Sequence, residues 1–170
     1  MRTYLSILFI ILTMAVGIVT CSKSSKPVDQ TFYIDLAPAE ITATVGETLT
    51  LTGSINSVEG LFAISFDLVF DTSVVVFESL SLPSGGILGQ NSIIFSSEID
   101  SGVSISLGRT QTSGNDNISA SGDLFLVDFI VIDTGITEIQ YRNVYIIDED
   151  GAENPDLGVL EARGAVVEGG

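Results

Sequence analysis

The stretch "ETLTLTGSI" at residues 47–55 alternates strictly, with Leu49, Leu51 and Ile55 on one side and Thr48, Thr50, Thr52 and Ser54 on the other. In an extended chain successive side chains point to opposite faces, so such a segment buries one face and wets the other. "VSISL" repeats the pattern, with Val103, Ile105 and Leu107 opposed to Ser104 and Ser106. Turn strings separate these segments: "TVGE", "PSGG", "DSG", "TSGND", "ASGD", "DTG" and "DEDG", spaced about every 8 to 12 residues. No run carries a convincing helical period. Many short, half-buried strands at this spacing make an all-β chain, folded as a two-sheet antiparallel β-sandwich. About nine strands are expected, near residues 31–36, 41–45, 47–55, 61–70, 74–82, 91–97, 103–109, 122–133 and 137–147, with a closing strand at 157–167. No internal repeat is visible, so the strands belong to one domain.

The N-terminal segment stands apart. "MRTYLSILFIILTMAVGIVTCSKSSK" places a positive charge at Arg2, an apolar run over residues 5–19, and then Cys21. This is the layout of a secretory signal, with an apolar run short for a membrane span. The string Ile18-Val19-Thr20-Cys21 resembles the lipobox of bacterial lipoproteins, with Thr20 where a Gly, Ala or Ser is usual. The resemblance implies a signal peptide over residues 1–20 and a lipid on Cys21, the only cysteine in the chain. A flexible tether over 21–30 would follow, and a folded domain over 31–168, exported and held at the membrane by its lipid alone. A plain signal peptide cleaved nearby is the alternative.

Charge and composition exclude several functions. After residue 26 only Arg109, Arg142 and Arg163 stand against all 22 acidic residues. Such a surface repels nucleic acid. There is no histidine, which removes Ser–His and Cys–His nucleophiles and histidine-based zinc sites. Nothing sets two carboxylates in a cleft, so no enzyme is expected. "DEDGAENPD" gathers Asp148, Asp150, Asn154 and Asp156, weak candidates for calcium. Their spacing is not that of an EF-hand loop, and a solvated acidic turn is the preferred reading.

Two strands break the half-buried pattern. In "GLFAISFDLVFDTSVVVF", residues 60–77, the even positions Phe62, Ile64, Phe66, Leu68 and Phe70 are large and apolar. The odd positions Leu61, Ala63, Ser65, Asp67 and Val69 are small or mixed. In "GDLFLVDFIVID", residues 122–133, Phe125, Val127, Phe129 and Val131 face one way and Leu124, Leu126, Asp128, Ile130 and Ile132 the other. Only one side of a sandwich strand meets the core, so something must cover the second apolar side: a loop, a neighbouring subunit or a partner.

These strings resemble the signature of cohesin domains. Its elements are Gly60-Leu61, Phe66-Asp67-Leu68, Phe70-Asp71 and the return strand from Val74 to Phe77, followed in family order by "SASGDLFLVDF" and "NVYIIDEDG". The resemblance implies a nine-stranded jelly-roll that binds a dockerin, a calcium-loaded module carried on other secreted proteins, commonly in polysaccharide breakdown. It further implies one binding face shared by both strands, made of Leu61, Ala63, Ser65, Asp67, Val69, Leu126, Asp128, Ile130 and Ile132. No cofactor of the chain's own is implied, the calcium being carried by the partner. Ala63 and Ser65 stand where some cohesins have a polar Asn and Asp, which leaves the choice of dockerin open. Asp71, ahead of Thr72-Ser73, is a turn former and not a site. Two rivals remain. A carbohydrate-binding module would share the sandwich, but the chain lacks tryptophan and its best outward aromatic is Tyr145. A self-associating surface module would use the same patch.

Overall fold

The computed structural model describes residues 33–89, 92–110, 118–148, 151 and 161–170. The proposed signal, Cys21 and the tether lie outside them. Among the described residues every regular element is a strand: β1 (Tyr33–Ala37), β2 (Glu40–Ala43), β3 (Thr48–Leu61), β4 (Ala63–Val69), β5 (Val75–Ser81), β6 (Ser92–Ile99), β7 (Gly102–Arg109), β8 (Ile118–Val131), β9 (Gly135–Ile147), β10 (Glu161–Arg163) and β11 (Ala165–Gly169). They form a five-stranded sheet in the order β10-β1-β3-β8-β5 and a six-stranded sheet in the order β2-β11-β9-β4-β7-β6. The chain changes sheet at nearly every connection, as a jelly-roll sandwich does, and the all-β expectation holds. Pairing is antiparallel except at two sheet ends, where β1–β10 and β2–β11 run parallel.

Alternation decides what the sheets bury. On β4, Ile64, Phe66 and Leu68 are buried while Ala63, Ser65, Asp67 and Val69 face out. On β8, Phe125, Val127, Phe129 and Val131 are fully buried while Leu126, Asp128 and Ile130 face out, half-buried. Rings then meet in the core, both across the sandwich and between neighbouring strands of one sheet. Phe66 of β4 lies 5.2 Å from Phe125 of β8 and 5.1 Å from Tyr141 of β9, and Phe70 lies 5.0 Å from Phe129. Each buried ring contributes about 1.5–3 kcal/mol by leaving water, and edge-on ring pairs add about 0.5–1.5 kcal/mol.

The structure corrects the sequence reading in four places. Strand β3 continues to Leu61, which is fully buried, so this residue belongs to the core and not to an outer face. Register shifts after Gly53, Ile55 and Val58 change the phase of β3, and they bring Val58 and Leu61 inward. Second, Phe62 lies between β3 and β4, where the chain passes to the other sheet. Third, the expected closing strand is two pieces on opposite sheets, β10 and β11. Most consequential, β4 and β8 lie in opposite sheets, so their outward residues cannot form one face. Alternation tells which side of its own sheet a residue takes. It carries no information about which sheet that is.

Gly53 shows how tightly the core is closed. It pairs with Phe125, and a Cβ built there would stand 2.1 Å from the Phe125 ring. Gly53→Ala is expected to lower stability by about 1–3 kcal/mol, the usual cost of overpacking, measured as a drop in the urea midpoint. A change within about 0.5 kcal/mol, typical of surface sites, would contradict this packing.

Candidate partner-binding face

The outer side of the six-stranded sheet is built in cross-strand rows. Register places Phe95 of β6 opposite Ser106 of β7, Ser106 opposite Ser65 of β4, and Ser65 opposite Tyr145 of β9. The row above reads Ile93, Gly108, Ala63 and Ile147, and the row below has Ser97, Ser104, Asp67 and Arg142. The result is a floor of small side chains on β4 and β7. Phe95, 68% exposed, rises on one side and Tyr145, 50% exposed, on the other. Ile93 and Ile99 are also exposed along β6. Three strand spacings separate the two aromatic walls, roughly 14 Å.

Local bonds keep the floor flat. The Ser65 and Ser106 hydroxyls share a hydrogen bond at 3.0 Å, and the Ser65 hydroxyl donates to the Ile105 carbonyl at 3.3 Å. Between Ser65 and Asp67 the ladder with β9 slips by one residue, and Asn143 takes a left-handed conformation with φ 49°. Asn tolerates that region better than most residues. The slip exchanges the buried parity of β9, so Ile139 and Tyr141 point inward before it and Ile146 after it. It thereby turns Tyr145 outward. Asn143 Nδ2 donates to Asp67 Oδ2 at 2.7 Å, fixing the one carboxylate of the floor.

The outer side of the five-stranded sheet differs in kind. Asp128 accepts from Thr50 through one oxygen at 2.6 Å and from Ser79 through the other at 2.7 Å. This carboxylate therefore clamps β3, β8 and β5 together. Leu126 sits between Thr52 and Ser81, and Ile130 between Thr48 and Val76. Both are half-buried by those neighbours, while Ile132, just beyond β8, is 44% exposed.

The expected site residues thus divide. Ala63, Ser65, Asp67 and Val69 lie together on the outer side of the six-stranded sheet. Leu126, Asp128, Ile130 and Ile132 lie on the opposite outer side, and Leu61 is in the core. The reading missed Ile93, Phe95 and Ile99 of β6 and the floor serines Ser104 and Ser106 as companions of β4. Their alternation was visible, but the long-range pairing that joins them was not. Asp71 is a turn residue as expected: its carboxylate accepts from the Ser73 hydroxyl and amide, which together hold its pKa below the usual value. Asp148 closes a turn through its carbonyl, which accepts from Gly151 N–H at 3.1 Å. Asp150, Asn154 and Asp156 lie outside the described residues, and among those described no three metal-binding side chains cluster.

The cohesin-domain family model matches residues 34–161, most of the chain, and the chain belongs to the cohesin family. Solved structures share its fold. A non-cellulosomal cohesin from the hyperthermophilic archaeon Archaeoglobus fulgidus is 18% identical, with a TM-score of 0.65 over 83% of this chain and 92% of that one. The third cohesin of ScaC from Acetivibrio cellulolyticus, solved in complex with the ScaB dockerin, is 15% identical, with a TM-score of 0.64 over 81% and 98%. A type II cohesin domain from the cellulosome of the same organism is 17% identical, with a TM-score of 0.65 over 81% and 95%. No curated protein matches the chain in sequence.

The two carboxylates separate by experiment. Asp128→Ala strands two hydroxyls and is expected to cost about 1–2 kcal/mol in urea unfolding. Asp67→Ala, losing one exposed amide contact, should cost less than about 0.5 kcal/mol. Equal costs would contradict the division between a clamp and a surface group.

Proposed function

We propose that this chain is a non-catalytic docking module, exported and tethered to the membrane, which receives a dockerin-type, calcium-loaded protein partner on the outer side of β9-β4-β7-β6. The observation that carries the reading is the trough between Phe95 and Tyr145. A helix with its side chains is about 10–12 Å across, which suits a floor of Ala63, Ser65, Ser104, Ser106 and Gly108 between walls roughly 14 Å apart. Small residues let the partner's backbone approach closely, and the exposed rings supply apolar area at the rims. Asp67, oriented by Asn143, offers a hydrogen-bond acceptor to a Lys, Arg or hydroxyl of the partner.

In this reading the signal covers residues 1–20, lipid on Cys21 anchors the protein, the tether spans 21–30, and the domain spans 31–168. One acyl chain binds a membrane only marginally, so anchoring needs more than one. Complexes with dockerins among the similar structures support a partner of that kind for this chain. Polysaccharide breakdown is one setting for such a module; the likeness to a non-cellulosomal cohesin favours keeping the setting wider.

The test passes the native secreted proteins over immobilised chain with calcium. A dockerin-bearing protein is expected to be retained and released by a chelator, and Ser65→Arg, which fills the floor, should abolish retention while the unfolding midpoint holds. Retention that survives Ser65→Arg would overturn the trough as the site. Retention on insoluble polysaccharide, lost in Tyr145→Ala, would replace the docking reading with sugar binding.

A further inference from the structure

Each sheet has two ends, and an exposed strand edge with unpaired amides invites another strand unless something blunts it. Three of the four ends carry such a device. β10 has three residues and includes Arg163, β2 has four and begins with Glu40, and β5 is interrupted by a register shift between Phe77 and Ser79. β6 has none of these. Its eight residues pair with β7 in unbroken register, it lacks proline, and its one charge is Glu98. Among the described residues β7 is the only strand hydrogen-bonded to it, and β5 of the facing sheet packs near it. Along its outer side Ile93, Phe95 and Ile99 are 43%, 68% and 39% exposed.

We propose that the edge of β6 pairs antiparallel with β6 of a second copy of this chain, joining two six-stranded sheets into one continuous sheet. A two-fold axis through Ser96 keeps the outer sides of both copies continuous, because it pairs residues of equal parity. That register sets Ile93 opposite Ile99 of the copy, Phe95 opposite Ser97, and Ile94 opposite Glu98. Ile93 then meets Ile99 at both ends of the junction, and no carboxylate faces another across it. The self-complementarity is what favours a second copy over an unrelated strand. The opposing force is the net charge of −16, which repels the copies at long range and is screened by salt. Pairing therefore strengthens as salt rises. The two troughs would lie side by side, displaying two docking faces on one surface.

The inference goes beyond the docking reading and does not rest on it. The chain from Ser22 onward contains every strand of both sheets and, without Cys21, no cysteine. Sedimentation velocity is expected to show a dimer whose fraction grows with protein and with sodium chloride. Ser96→Cys should give a disulfide-linked dimer on mild oxidation, since residues facing each other across an antiparallel pair have Cα atoms about 4.5–5.5 Å apart. Ser81→Cys on the blunted β5 edge should not. Ser96→Glu sets two carboxylates face to face, beside Glu98 of each copy, adds to the repulsion and should weaken the dimer by about fivefold or more, with an unchanged urea midpoint. Ser96 pairs with buried Ile105 and so points away from the trough; partner capture should survive in this variant. A monomer at every salt and protein concentration, or a dimer indifferent to Ser96→Glu, overturns the proposal. Either result leaves the docking test standing.

Discussion

Contact between aromatic rings across the sandwich is the constraint on which the rest depends. Phe66 and Phe70 approach Phe125 and Phe129 from the facing sheet, with Tyr141 closing the cluster. Once those rings must point inward, the parity of β4 and β8 is fixed along their whole lengths, because a slip of one residue would turn every ring to water. Ala63, Ser65, Asp67 and Val69 are then outward by necessity. The candidate face is thus a by-product of core packing. Its flatness comes from the small residues that sequence places at the remaining positions.

The two outer sides show why a carboxylate is a poor guide by itself. Asp67 and Asp128 occupy similar places in their strands, each an outward acid between apolar neighbours. Asp128 is consumed by Thr50 and Ser79 on the flanking strands, which ties three strands of one sheet. Asp67 is steadied by a single amide from Asn143 and sits in a floor of serines. The first resembles internal bracing; the second has the character of a recognition group. Their difference arises from cross-strand neighbours more than 40 residues away in sequence for Asp128.

Much of the fold was legible. Strict alternation in residues 47–55 and 103–107, and turn strings between segments, gave the all-β class and nearly every strand within a few residues. What alternation could not give was sheet membership. β4 and β8 both carry one buried and one outward side, and nothing local distinguishes which of two facing sheets holds each. Irregular ladders hid the rest: the shifts in β3 that draw Val58 and Leu61 inward, and the slip at Asn143 that turns Tyr145 out. β6 reads from sequence as an ordinary strand. Its place beside the floor depends on pairing with β7, and its place at the end of the sheet on the absence of a further hydrogen-bonded strand among the described residues.

The central claim is that the partner covers the trough of the six-stranded sheet and leaves the other outer side wet. Hydroxyl-radical footprinting of the calcium-dependent complex reads both sides at once. The expected result is strong loss of oxidation at Phe95 and Tyr145, with Ile132 and Tyr33 unchanged. Protection of Ile132 and Tyr33 with Phe95 and Tyr145 still reactive would contradict it.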